Sequence, residues 1–265
     1  MNFFSKFFSF KKNKYVLVIS GGGVRGFYAL GILKAMEEFG LRDKIDAIYG
    51  VSAGAIIGSY RAAGYTAQEI FDRLIATKVF SLKTFNFKLG KSLLSHDFLK
   101  DRFVEDLPQT FTGLKKKLFI GAVDARKAKF HLFEEGNLIT PLLASMSIPG
   151  VFPPVEYKDF CLVDGGMLNN FPADLAKEHY PHHKIIGIYL NQFLEDQKID
   201  NIFEGLSLTY EILLRGPSLP KLDIPDYLFY KGLDIPILSI DIKKMKQIFL
   251  MGYADGLKTF ATKQQ

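Results

Sequence analysis

Sulfur cross-linking chemistry is almost absent from this chain, because Cys161 is its single cysteine. One thiol cannot make an intramolecular disulfide framework or a cysteine metal site. It lies in the apolar run Phe160-Cys161-Leu162-Val163, which suits a buried, inert thiol. Also missing is any stretch of the roughly 18–20 apolar residues that a spanning helix needs. No internal repeat divides the sequence, and no linker splits it convincingly. The segment Met1 to Lys14 is not a secretory signal, since Lys6 interrupts its apolar part, further lysines follow, and no small-residue cleavage site is present. The expected location is therefore cytoplasmic. No metal constellation is visible either: Asp97, Asp101, Glu105 and Asp106 are spaced along one expected helix and read as its solvated face. Neither a metal nor a cofactor is expected.

What is present belongs to a globular protein. Of 265 residues, 48% are hydrophobic and 23% charged, enough for a full core. The expected organisation is a tail, residues 1–14, followed by a single α/β domain over residues 15–265. A formal charge of +6 and a pI near 9.1 favour an anionic partner, and both nucleic acid and anionic lipid headgroups fit. An ordinary lysine excess gives the same numbers. The tail interleaves five phenylalanines with lysines, a composition that can lie in a membrane interface. A short tail packing its rings onto the domain is the alternative.

Residues 15–20 form a continuous apolar run rich in β-branched residues, as in a strand buried on both faces. A helix-period segment follows Gly21-Gly22-Gly23 and stops at Gly40, a C-cap position. A second strand over residues 45–49 feeds Ser52, with a helix from Ala53 that stops at Gly64. Thr66-Ala67-Gln68-Glu69 is a capping-box signature opening a helix over residues 67–76. The pattern weakens over residues 78–94, a lysine-rich, lid-like region. Further strands are expected at residues 117–124 and 129–133, paired across 125–128, and at 160–163, 184–190 and 236–240. Helices are expected at residues 95–107, 138–148, 172–179, 202–214 and 245–262. Strands alternating with helices imply a mostly parallel sheet covered on both faces.

Three loops carry chemistry. Gly50-Val51-Ser52-Ala53-Gly54 reads G-x-S-x-G between a strand and a helix. A serine on that sharp turn presents its hydroxyl for attack on an acyl carbon, and Gly50 and Gly54 avoid collisions at the turn. The run Gly21-Gly22-Gly23-Val24-Arg25-Gly26 follows a buried strand and opens a helix, so its N–H groups converge as a nest for negative charge. A dinucleotide fingerprint has the same glycine spacing, but it wants an acidic residue at the end of the second strand, where this chain carries Ser52. An oxyanion hole explains both loops together. Arg25 is a candidate to hold the loop or to meet a lipid phosphate, against a solvated arginine on a first helical turn. Asp164-Gly165-Gly166 places a carboxylate at the carboxyl end of a strand, where it could serve Ser52 as base; a turn aspartate bonding its own backbone is the competing reading. A conventional triad needs a histidine. His96, His131, His179, His182 and His183 are all expected to be structural or solvated.

With these loops in hand, the chain resembles the patatin-like phospholipases, Ser-Asp dyad acyl hydrolases. The matching segments are Gly21 to Gly26, Gly50 to Gly54 and Asp164 to Gly166, in the family's order, together with Ala144-Ser145-Met146-Ser147-Ile148-Pro149-Gly150-Val151-Phe152-Pro153-Pro154 before the aspartate. The resemblance covers roughly residues 15–190. It implies a three-layer sandwich with helices on both faces of a mostly parallel sheet, Ser52 as nucleophile, Asp164 as base and Gly21, Gly22 and Gly23 as oxyanion hole. The implied substrate is a lipid or phospholipid ester, not a nucleic acid, with peripheral membrane contact through residues 1–14. Ser20 stands where many relatives carry an acidic residue. A lipid-binding protein that retains the pocket with weak catalysis is the alternative, and a nucleotide-binding protein a distant third.

Overall fold

The computed structural model describes residues 13–76, 95–193, 199–200, 202–239 and 241–262, without the side chains of Phe98, Ile202 and Phe203. Residues 1–12 of the tail and the lid-like region from 78 to 94 lie outside the described residues.

Among the described residues eight strands make one sheet: β1 (Tyr15–Ile19), β2 (Ile45–Val51), β3 (Lys117–Asp124), β4 (Lys129–Phe133), β5 (Val155–Tyr157), β6 (Phe160–Asp164), β7 (Lys184–Tyr189) and β8 (Tyr227–Tyr230). β3, β2, β1, β7 and β8 run parallel in that order. β4, β5 and β6 join antiparallel at the β3 end. The helices are α1 (Gly26–Glu38), α2 (Ala53–Ala63), α3 (Ala67–Ala76), α4 (Asp97–Asp106), α5 (Ile139–Ser145), α6 (Gly166–Asn169), α7 (Ala173–His179), α8 (Ile202–Ser218) and α9 (Ile242–Thr262).

The strand pleat sorts side chains into two cores. Tyr15, Leu17 and Ile19 of β1 join Leu30, Leu33 and Ile57 of α1 and α2 and Phe249 of α9. Val16 and Val18, one residue out of phase, pack with Phe171, Ala173 and Ala176 on the other face. Every β1 residue is fully buried, and each such aliphatic side chain contributes about 1.5–3 kcal/mol. Helices therefore cover both faces of a mostly parallel sheet.

The register at β3 determines where the functional loops meet. Ile120 and Gly121 pair with both β2 and β4, so those two strands lie on opposite edges of β3. Ala122, Val123 and Asp124 pair with both β4 and β6, which puts β6 on the same edge as β2. β2 and β6 thus approach each other head to head along one edge, with Val51 opposite Gly121 and Asp164 opposite Ala122. The residue after Val51 is Ser52. Two segments more than a hundred residues apart are brought together by adjacent positions on a third strand.

Several local expectations hold. Thr66 N–H donates to Glu69 Oε2 at 2.7 Å and Glu69 N–H to Thr66 Oγ1 at 3.2 Å, closing the capping box. Gly40 and Gly64 end their helices at φ 66° and 106°. The expected strand over 236–240 is absent from its described part, residues 236–239. Pro236 has no N–H for a ladder, and neighbouring carbonyls are committed elsewhere: Ile237 accepts from Val24 N–H and Ile235 from Arg25 Nε. The sheet is extended by β8 instead. Cys161 is only half-buried. Asp106 is not on a solvated face but nearly buried, paired with Arg73 and Arg102.

Candidate active site

Ser52 sits at the turn from β2 into α2 with φ 52° and ψ −120°. For a residue with a Cβ this is a strained conformation, costing on the order of 1–3 kcal/mol. The flanking glycines make the turn sterically feasible: a Cβ on Gly54 would lie 2.1 Å from the Ile19 carbonyl oxygen, and one on Gly50 2.4 Å from that of Gly54. The strain is held by the segment that precedes the aspartate. Ser52 N–H donates to Ser145 Oγ at 2.8 Å, and that hydroxyl donates to the Gly121 carbonyl at 2.6 Å. Two residues on, the Ser147 carbonyl accepts Asp164 N–H at 3.0 Å. One short stretch therefore braces both loops.

Asp164 ends β6 and is fully buried. Its Oδ1 accepts Gly166 N–H at 2.7 Å. Burial pushes its pKa up to about 6, against the Gly166 N–H and the hydroxyls of Ser52 and Tyr210, which pull it down. No charged side chain figures among these influences. A carboxylate poised near neutrality beside a serine hydroxyl is chemically able to take a proton from it. Gly165 lets the chain pass β3, since a Cβ there would be 2.4 Å from the Gly121 oxygen, and one on Gly166 would be 2.6 Å from Leu214.

The glycine loop lies against the same serine: a Cβ on Gly21 would be 3.0 Å from Ser52 Cβ. The Gly21 N–H is already given to Asn170 Oδ1 at 3.0 Å, and its carbonyl accepts Asn191 Nδ2 at 2.6 Å. That clamp engages the Gly21 N–H, whereas the N–H groups of Gly22 and Gly23 have no hydrogen-bond partner among the described residues. Ser20 accepts Leu190 N–H on its hydroxyl, a tie to the end of β7. Arg25 is neither solvated nor open to a ligand phosphate. It is 2% exposed, with Nε on the Ile235 carbonyl and Nη2 on Glu211 Oε1, both at 2.8 Å. It holds the loop, and Gly26 then opens α1, where a Cβ would lie 2.9 Å from Ile57.

On its other side Ser52 opens onto a cavity of about 350 Å³ lined by Phe27, Ile56, Ile57, Leu99, Phe103 and Met146 among others. The walls are almost wholly apolar. Three of the five histidines bond to groups other than Ser52 and Asp164: His96 Nε2 with Ser147 Oγ, His179 Nδ1 with the Tyr49 hydroxyl, His183 Nε2 with Asp46. Burial holds His96 down to about 4, so it stays neutral.

Glycine loop, serine, carboxylate and apolar cavity occur together, the first three following one another along the chain. A family model described as Patatin-like phospholipase matches residues 17–177. The chain belongs to the patatin-like phospholipase family. Among curated relatives, the probable lipid hydrolase 463L of Invertebrate iridescent virus 6 is 32% identical over 65% of this chain and 67% of its own length. Patatin-like phospholipase domain-containing protein 6 of Mus musculus is 30% identical over 62% of this chain, which spans only 13% of that protein. Lysophospholipase NTE1 of Candida glabrata is 30% identical, with 9% of its length covered. Among solved structures, VipD from Legionella pneumophila shares the fold at TM-score 0.55 and 14% identity, covering 95% of this chain and 67% of that one.

Within this patatin-like chain, sequence reasoning missed Ser145, Asn170, Asn191, Tyr210 and Glu211. Ser145 stood inside a quoted motif, and Asn170 follows Asp164-Gly165-Gly166 closely enough to have been suspected. The other three carry no local signal: Asn191 follows β7, and Tyr210 and Glu211 both come from α8, far from the motifs in sequence.

Proposed function

We propose that this protein is a serine acyl hydrolase of lipid esters, of the phospholipase A or lipid esterase type, built as one catalytic domain from residue 15 onward. The observation that carries the reading is the position of Ser52, between a buried carboxylate with no countercharge among the described residues and an apolar cavity. In the first half-reaction Ser52 Oγ attacks the ester carbonyl carbon as its proton passes to Asp164. The oxyanion forms against the Gly22 and Gly23 N–H groups and the amino end of α2. Collapse expels the alcohol, which takes the proton from Asp164. Water then attacks the acyl-enzyme, gives a proton to Asp164 and releases the fatty acid as Ser52 Oγ is reprotonated.

The cavity supports an acyl chain as the buried part of the substrate, since its lining offers contact area and almost no hydrogen bonds. The alcohol side is expected to carry a phospholipid headgroup, in keeping with the positive charge. Among the described residues no helix is long and apolar enough to cross a membrane. Peripheral contact through residues 1–14 remains part of the proposal.

A fluorophosphonate probe, with wild type, Ser52→Ala and Asp164→Asn assayed on esters of graded chain length, tests the reading. Wild type should be labelled and Ser52→Ala should not. Filling the cavity by Ile56→Trp should lower kcat/KM for long-chain esters about tenfold or more while sparing butyrate esters. Labelling of Ser52→Ala equal to wild type would remove the nucleophile assignment. Lipid binding without labelling would favour a binding protein that has lost turnover.

A further inference from the structure

α8 is built inside out. Among its described side chains it buries Ser207, Glu211, Leu214 and Ser218, whereas Leu206, Ile212 and Leu213 are 45%, 55% and 53% exposed. A helix on a globular domain ordinarily turns its apolar stripe to the core, so a polar inward face implies a polar task. It also lies beyond residue 177, the last matched to the family model. Two neighbours on that face reach the two halves of the site. Glu211 pairs with Arg25 of the glycine loop at 2.8 Å, with both side chains at most 3% exposed. Leu214 packs where a Cβ on Gly166 would stand, at 2.6 Å. One turn earlier on the same helix, Tyr210 brings its phenol within reach of the Asp164 carboxyl. The polar atoms left over are complementary. Asp164 Oδ2 and Tyr210 Oη are both buried, and neither has an aligned hydrogen-bond partner.

We propose that Tyr210 is a positioning residue of the reaction, its phenol donating to the second carboxylate oxygen of Asp164, so that α8 braces the base through Tyr210 and the oxyanion loop through Glu211. This rests on the reading of Asp164 as the base. The physical need is specific. A carboxylate buried without a cation is pushed toward its neutral form, which cannot accept the Ser52 proton. Gly166 N–H occupies Oδ1, and the Ser52 hydroxyl is consumed in the attack itself. Among the described residues Tyr210 is the remaining donor facing the group. Burial drives its own pKa well above the usual phenol range, so it stays protonated and able to donate.

The test is the pH dependence of kcat/KM on p-nitrophenyl butyrate. Tyr210→Phe should move the acid limb up by about one pH unit, because loss of a donor to the charged form raises the carboxyl pKa. At about pH 6 that amounts to a several-fold loss, approaching tenfold on the acid side. Glu211→Gln should lower kcat without moving the limb, since it loosens Arg25 and not the base. Should Tyr210→Phe fail to fold, 3-fluorotyrosine at position 210, a stronger donor of nearly the same size, should move the limb down. An acid limb that superimposes on wild type in Tyr210→Phe, or one that fails to move in the fluorinated protein, overturns the proposal for Tyr210 alone. Full activity in Asp164→Asn instead overturns the assignment of the base.

Discussion

Asp164 and Asp106 are both carboxylates drawn into the interior, in opposite company. Asp106, with a side chain 4% exposed, pairs with Arg73 through Oδ1 and with Arg102 Nε through Oδ2 at 2.8 Å, and accepts the Tyr60 hydroxyl at 2.8 Å. Asp164 has one backbone N–H and two neutral hydroxyls. Arg102 and Tyr60 stand in the wall of the same cavity that Ser52 opens onto, so the two groups serve different parts of one site. A carboxylate saturated by guanidinium groups is a clamp that joins α2, α3 and α4. One left without a cation is held at a protonation boundary, where it can accept and return a proton.

The contrast is broken most directly by making both groups amides. Asp164→Asn should lower kcat/KM by on the order of 10⁴-fold, as for other members of a nucleophile–base unit, and Ser52→Ala by a similar factor. Its stability should move the other way. The folded pKa of about 6 lies above the ordinary value of 3.8, so the folded state binds the extra proton between those pH values. Wild type therefore loses stability as pH rises through that window, and above it the buried charge costs up to about 3 kcal/mol. Asp164→Asn should escape this penalty and melt higher than wild type above about pH 6, by about 1–3 kcal/mol. Asp106→Asn should do the reverse. It leaves two guanidinium groups without their carboxylate and should lose about 3 kcal/mol, while turnover per folded molecule stays within a few-fold. Denaturant melts paired with assays on a soluble ester read both at once. A destabilised Asp164→Asn would mean that its carboxylate is held like that of Asp106.

A finer test is the acid limb of the wild-type profile. The base must be ionised to act, so kcat/KM should rise with pH through about 6, falling about tenfold for each unit below that. A limb near the ordinary aspartate value of 3.8 would show that something neutralises the site.

The two carboxylates also mark what a sequence discloses. Asp164 was legible because two glycines follow it and a nucleophile elbow precedes it, and both are backbone requirements written locally. The alternation of apolar runs and helical periods likewise gave the three layers. Asp106 was not legible: four acidic residues along α4 have the spacing of a solvated face, and only the tertiary approach of Arg73 and Tyr60 turns one of them inward. Arg25 was ambiguous for the same reason, since its partner Glu211 lies far along the chain, on a helix that was expected but whose inward face carries no local signal. The misplaced last strand shows the local form of the problem. Residues 236–239 have strand composition, but the carbonyls around them had already been claimed by the glycine loop.

The smallest expected effect concerns the brace between the two loops, which is neutral throughout. Ser145 Oγ takes the Ser52 N–H and gives its proton to the Gly121 carbonyl. Ser145→Ala removes the partner of the buried Ser52 N–H, at about 1–3 kcal/mol, and frees the strained turn to relax away from φ 52°. Since the hydroxyl bonds to backbone groups only, kcat should drop only about tenfold and the acid limb should stay in place. Ser145→Thr, which keeps the hydroxyl, should recover most of the loss. A limb displaced in Ser145→Ala would instead mean that the strained turn, and not the absence of a countercharge, sets the proton affinity of Asp164.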